Sequence, residues 1–265
     1  MPRTLLFLHA HPDDECILTG TTMAAAAAAG FRVLVAYGTR GDAGETNQDL
    51  GGESLGDRRT REALAANEVL GAHRVEWLGY ADSGMADTET TADPAAFCNA
   101  DLDEATGRLL GLFADEQIHA VVGYDANGTY GHPDHVQVHR LAHHGAATLG
   151  AAFVMEATYD REYLAELDDV GYGDIDETFA SARAALTHYC EGEAPFLTKL
   201  DAIKHHQSQV PDDWDSEKPD IAGFAKRFGT EWYITHQLDA AANWEPFDRI
   251  FSPRDTWSGA PPLSS

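Results

Sequence analysis

The chain has 265 residues, 43% of them hydrophobic, enough to bury a sizeable core in one large domain or two small ones. Its 44 Asp and Glu against 18 Lys and Arg give a formal net charge of −26. A surface of that sign repels phosphate backbones and anionic lipid, so neither nucleic acid nor a membrane is an expected partner, and a solvated acidic surface is the plain reading.

Thr4 to His9 is a short apolar run that predicts a buried strand. It ends in His9 and His11 and runs on into acidic residues, unlike a secretory leader. Cys16 to Ala29, alanine-rich and closed by Gly30, predicts a helix; its alanine run is too short to span a bilayer. Arg32 to Tyr37 reads as a second strand, and Thr39 to Gly56, rich in Gly, Asp, Asn and Glu, as a long loop of the kind that is usually functional or mobile. Asp57 to Leu70 is a helix stopped by Gly71, and Arg74 to Leu78 a strand. A helix over Leu102 to Ala114, a strand over Ala120 to Tyr124 and a helix over Asp134 to Leu149, with Pro133 at its start, follow.

Beyond Phe153 the pattern is less regular. Glu166 to Glu177 reads as an acidic loop, Pro195 to Gln209 as a helix, Phe224 to Ile234 as mixed, and Trp257 to Ser265 as a tail. The alternation of strands and helices predicts an α/β fold, with a mostly parallel sheet covered by helices on both faces. No repeat or linker divides the chain, so a single domain over 1–265 is expected, its core at about 3–210 and 211–265 less regular. The three cysteines, Cys16, Cys98 and Cys190, are far apart and form no Cys-x-x-Cys, which indicates neither a disulfide framework nor a thiolate zinc site and fits a cytoplasmic protein.

Two clusters carry chemistry. His9-Ala10-His11-Pro12-Asp13-Asp14-Glu15 falls between the first strand and the first helix, and Tyr130-Gly131-His132-Pro133-Asp134-His135 lies at a second such junction. Strands of like direction bring both to the carboxyl edge of the sheet, where such folds bind ligands. Zinc accepts imidazole and carboxylate ligands, and a catalytic zinc keeps three protein ligands and an open position. His11, Asp14 and His135 would supply the three, leaving Asp13 to take a proton from water and His132 as a second acid or base. Each cluster by itself could be an ordinary helix cap or turn. His135 and His139 are a rival pair, four apart on one helix, but His139 lies a full turn deeper and reads as packing. His143 and His144 read as solvated helix residues and Cys16 as a buried structural thiol. A nucleotide-binding dehydrogenase would need Gly-x-Gly-x-x-Gly after the first strand, and the chain has His-Pro-Asp-Asp-Glu there.

These two motifs resemble the LmbE/PIG-L family of zinc-dependent N-deacetylases. Arg59-Thr-Arg-Glu62, Asp82-Ser83-Gly84-Met85, Asp125-Ala-Asn127-Gly128 and His206-Gln-Ser208-Gln209 match in the same order, so the resemblance spans about residues 3–210. It is strongest to the branch that includes the deacetylase of mycothiol biosynthesis, which acts on N-acetylglucosaminyl-inositol. The resemblance implies a Rossmann-like fold and a Zn2+ centre held by His11, Asp14 and His135, although the donor set suits Fe2+ as well. It implies Asp13 as general base, His132 as acid or electrostatic stabiliser and Tyr130 as the group that polarises the substrate carbonyl. Arg59 and Asp82, with Met85 nearby, match residues that hold sugar hydroxyls, and Asp134 matches an Asp that orients the catalytic His. The implied substrate is a small N-acylated amino sugar or glycoside, with the subunit number of any oligomer left open. An amidase of thiol conjugates or a tailoring deacetylase of a glycosylated natural product fits the same motifs, and a non-catalytic sugar-binding module fits them less well because it needs no free base.

Overall fold

Six consecutive buried residues, Thr4–His9, form strand β1, the middle one of five parallel strands. In the computed structural model, which describes residues 3–86, 88–167, 175–210, 220–259 and 262, β1 is flanked by β2 (Arg32–Tyr37) and β4 (Ala120–Tyr124), both parallel to it. Strand β3 (Arg74–Trp77) extends the sheet beyond β2, and β5 (Phe153–Thr158) extends it beyond β4. β1, β4 and β5 are buried along their whole lengths, as expected of parallel strands covered on both faces.

The helices are α1 (Asp14–Ala28), α2 (Leu55–Leu70), α3 (Leu102–Leu112), a single turn α4 (Gly128–Gly131), α5 (Pro133–Gly145), α6 (Arg161–Ala165), α7 (Glu193–Ile203) and α8 (Ile221–Phe228). Strand order runs from β1 outward to β3, then returns across β1 to β4 and β5. With right-handed crossovers, that reversal sends α1 and α2 to one face and α3 and α5 to the other. α7 completes the first layer against α1 and α2, and α3 packs on α5 in the second. The switch point therefore falls between β1 and β4, and an open α/β sheet binds its ligands in the crevice there. Among the described residues no helix is long and apolar enough to cross a membrane.

Irregularity after Phe153 was the expectation, and the structure corrects it. Among the described residues, β5, β6 (His188–Cys190), β7 (Glu231–Gln237) and β8 (Ser252–Pro253) supply half of an eight-stranded sheet, with β7 antiparallel to both β5 and β6, and β8 antiparallel to β6. Polar residues interrupt these strands (Glu156 in β5, Thr235 and His236 in β7), and their partners are distant in the chain, so local periodicity does not reveal them. The predicted helix Pro195–Gln209 is observed as α7, two residues earlier at its start and ending at Ile203. Residues 168–174 of the expected acidic loop, and 260, 261 and 263–265 of the expected tail, lie outside the described residues.

One buried ion pair ties this later half to the first helix. Lys199 of α7, fully buried, donates to Ile17 O, Phe228 O and Glu231 Oε1, each at 2.8 Å. Glu231 also accepts from the backbone N–H groups of Thr21 and Thr22 at 2.8 Å. Every donor and acceptor of this pair is engaged, which is the condition under which burying two charges is tolerated.

Candidate active site

The turn after β1 is held from several sides. His9 is buried with Nδ1 2.8 Å from Tyr124 Oη and Nε2 3.2 Å from Thr19 Oγ1, and burial pushes its pKa down to about 4, so the ring is a neutral packing element. Four residues on, Asp13 adopts φ 105°, a left-handed conformation costly for any residue with a Cβ. Strained backbone of this kind persists only where its surroundings over-determine it. Here Glu15 does so: its Oε2 accepts from Asp13 N at 2.8 Å, and its Oε1 meets His206 Nε2 at 2.6 Å. The acidic first turn of α1, Asp14 and Glu15, also faces the positive end of the helix dipole.

A second strained turn follows β4. Thr129 has φ 67°, and Asp125 fixes it by accepting from Thr129 N at 2.8 Å, while also accepting from the hydroxyls of Thr158 and Ser181. Gly128 is required here, because a Cβ would lie 2.7 Å from Val136 N and 2.8 Å from His135 Cβ. Its absence lets the turn close onto the start of α5. His132 caps that helix, with Nδ1 accepting from Asp134 N at 3.2 Å, and Pro133 occupies the first turn.

At the switch point the two turns meet. His135 Nε2 is 3.3 Å from Asp14 Oδ1, and His11 Nδ1 is 3.5 Å from Asp14 Oδ2. The other nitrogen of His11 faces Asp134 at 3.2 Å and Asp82 at 3.5 Å. A carboxylate behind an imidazole in this way fixes which nitrogen is left for a metal. Burial works to lower the pKa of His11, but bonds to Asp134, Asp14 and Asp82 hold it well above the usual histidine value. For Asp14 burial is likewise outweighed, by His135 and His11, and its pKa lies well below the carboxylate range. Burial raises Asp13, with Arg59 opposing. Burial, then the neighbouring His11 and His135, push His132 down to about 4.

The donor set suits a divalent cation. Asp14, Asp82 and Asp134 all face the single imidazole of His11, an excess of negative charge in a buried place. Asp134 Oδ1 and His135 Nδ1 are buried without a hydrogen-bond partner among the described residues. Ring nitrogens of His11, His132 and His135 lie within 4.8 Å of one another, so His132, expected outside the ligand set, lies beside two of the expected ligands. What separates it is the bond that Asp134 N makes to its Nδ1.

The remaining expected residues are placed as follows. Tyr130 is partly exposed, its hydroxyl 3.4 Å from His135 Nε2. Asp134 is fully buried; its carboxylate accepts from Ser83 N at 3.0 Å and meets His11 rather than His132. Arg59 is buried under the first turn, donating to Gly41 O at 3.1 Å and Pro12 O at 2.5 Å, with Nη2 3.3 Å from Asp13 Oδ2. Asp82 accepts from Ala43 N and Gly84 N, leaving Met85 as the exposed member of the trio. Sequence reasoning assigned no role to Glu15 or His206, although both lie within the quoted motifs. Their pairing across the fold was the missing signal.

Fold and site together define an α/β enzyme with a His and carboxylate cluster, suited to a metal ion, at its topological switch point. The sequence profile described as PIG-L: GlcNAc-PI de-N-acetylase matches residues 6–146, and the chain belongs to this family of de-N-acetylases. It is 35% identical over 258 residues to a 1D-myo-inositol 2-acetamido-2-deoxy-alpha-D-glucopyranoside deacetylase of Salinispora arenicola, covering 87% of this chain and 82% of that protein. The protein of the same description in Acidothermus cellulolyticus is 34% identical over 263 residues, covering 88% and 89%. Among solved structures, the N,N'-diacetylchitobiose deacetylase of Pyrococcus horikoshii superposes with a TM-score of 0.61 at 22% identity, over 89% of this chain and 84% of that one, a likeness of fold.

Proposed function

We propose that the chain hydrolyses the N-acetyl group of a small amino-sugar glycoside of the N-acetylglucosaminyl-inositol class, in the cytoplasm, with zinc held by His11, Asp14 and His135. The observation that carries this reading is Asp13: a strained residue whose backbone Glu15 holds, with a partly exposed carboxylate that faces Arg59 beside the ligand cluster and is left out of the set that faces His11. A sugar-binding module has no use for such a group. The names of the relatives support the substrate class.

A divalent cation bound at this cluster supplies polarisation of the amide carbonyl and a more acidic water. Asp13 accepts the proton of the attacking water and passes it to the amine nitrogen as the amide C–N bond breaks, giving acetate and the free amino sugar. The Tyr130 hydroxyl, at the exposed edge of the site, donates to the oxygen on which negative charge develops. Because His132 accepts at Nδ1, its neutral ring carries the proton on Nε2 and acts as a second donor to that oxygen. Met85, exposed beside the site, meets the sugar, with buried Arg59 and Asp82 holding the turns around it.

The test is acetate release from N-acetylglucosaminyl-inositol and from simpler N-acetylglucosamine glycosides, by protein stripped with chelator and then reloaded with zinc or iron(II). Turnover restored by metal is the expected result. A fully metallated protein that releases no acetate from any N-acetylated amino sugar would remove the proposal.

A further inference from the structure

Away from the active site, three histidines converge on one carboxylate oxygen. His139 and His143 are one turn apart on α5; Glu156 lies on β5 and His236 on β7, both on the sheet face that α5 covers. Glu156 Oε1 is 2.6 Å from His143 Nε2, 3.0 Å from His236 Nε2 and 3.5 Å from His139 Nδ1. The rings of His139 and His143 are 4.6 Å apart, and those of His143 and His236 are 4.9 Å apart. The reading of His143 as a merely solvated helix residue is therefore corrected: its ring is turned onto the sheet.

His143 and His236 fill the two lone-pair sites of Glu156 Oε1, and His139, whose Nδ1 donates to Tyr124 O, brings a third imidazole to the same carboxylate. Four ligands at about 2.0–2.1 Å from a tetrahedral metal lie about 3.3 Å apart, and the nitrogens of His143 and His236 stand 2.6 and 3.0 Å from Glu156 Oε1, near that spacing. A ligand atom from each of His139, His143 and Glu156 falls within 4.8 Å of the others, and His236, outside that triplet, meets Glu156 Oε1 at 3.0 Å. His139 Nδ1 donates to Tyr124 O at 3.1 Å, the backbone bond that commonly fixes a metal-binding imidazole, and this leaves Nε2 as its ligand atom. Glu156 is buried, whereas the histidine side chains are 22%, 32% and 41% exposed in the order 139, 143, 236, so an ion has a path in from solvent. The chain's net charge of −26 concentrates cations at its surface.

We propose that His139, His143, Glu156 and His236 form a second divalent-cation site, for zinc or a transition metal of similar preference, which clamps α5 to β5 and β7. Its four protein ligands make it a closed, structural site, unlike the open centre at His11, Asp14 and His135. His135 lies one turn before His139 on the same helix, so the clamp steadies the element that presents His135 to the switch point.

Metal counting on the full chain tests this independently of any turnover. Protein stripped by chelator and dialysed against micromolar zinc should hold two equivalents. His143→Ala with His236→Ala should hold one, and so should Glu156→Gln, which keeps the fold intact should the double variant fail to. Asp14→Ala with His135→Ala should retain the second equivalent, and zinc should still raise its Tm by several degrees. With cobalt(II) in place of zinc, that variant should show the strong visible absorption of a tetrahedral ion. A single equivalent in the unaltered protein, unchanged by Glu156→Gln, would overturn the proposal and leave a hydrogen-bonded histidine cluster only.

Discussion

His206 Nε2 lies 2.6 Å from Glu15 Oε1, both groups buried, and this bond joins the segment after α7 to the first turn of α1. The other oxygen of Glu15 holds the backbone N–H of Asp13. A residue late in the chain thus sets the conformation of the proposed base without touching the site.

His206→Ala should lower kcat by about 10- to 100-fold, the usual cost of removing a group that orients catalytic ones, with metal content unchanged. His206→Gln keeps a donor for Glu15 and should recover part of the loss. Acetate-release kinetics with metal analysis on both variants check this; an unaltered kcat in His206→Ala would detach the pair from Asp13.

Asp13→Asn should bind metal as before and lose at least about a hundredfold in kcat, the ordinary contribution of a general base. Asparagine tolerates the positive φ at this position, so the fold should survive. Thermal unfolding and metal content serve as controls, and near-normal turnover would require another base.

Arg59 separates two roles. A residue that only contacts sugar would raise KM, but here the guanidinium is buried against the Pro12 and Gly41 carbonyls and faces Asp13. Arg59→Met should therefore lower kcat by about tenfold or more, in the range of lost orienting partners, and at least as much as it raises KM. Raised KM with intact kcat would restore the purely sugar-binding role.

Stability should depend on Glu231. Glu231→Ala leaves the Lys199 ammonium buried without its counter-charge and should cost about 3–5 kcal/mol in urea unfolding. Lys199→Met in the same chain should recover much of that loss. Equal destabilisation of the single and double variants would mean that packing, rather than the unpaired charge, governs the effect.

Much of this protein was legible without coordinates. β1, β2 and β4 are apolar runs whose burial follows from composition alone, and Gly71 and Pro133 punctuate their helices by local chemistry. Both motif clusters sit beside these elements, so parallel pairing was enough to bring His11, Asp14, His132 and His135 together. The hidden parts share a physical cause. β6 and β8 are only three and two residues long, and the polar Glu156 and His236 break the apolar pattern of β5 and β7 while pairing with each other across the sheet.

The sequence by itself determined the central sheet, the edge on which chemistry occurs and the residue types that gather there, because hydrophobic period and helix start signals are local properties. Only the tertiary structure decided that Glu15 answers to His206, that Arg59 lies beneath Asp13, and that three histidines close on Glu156. Each of those depends on distances between segments remote in the chain, which the packing of helices onto the sheet establishes and no local pattern encodes.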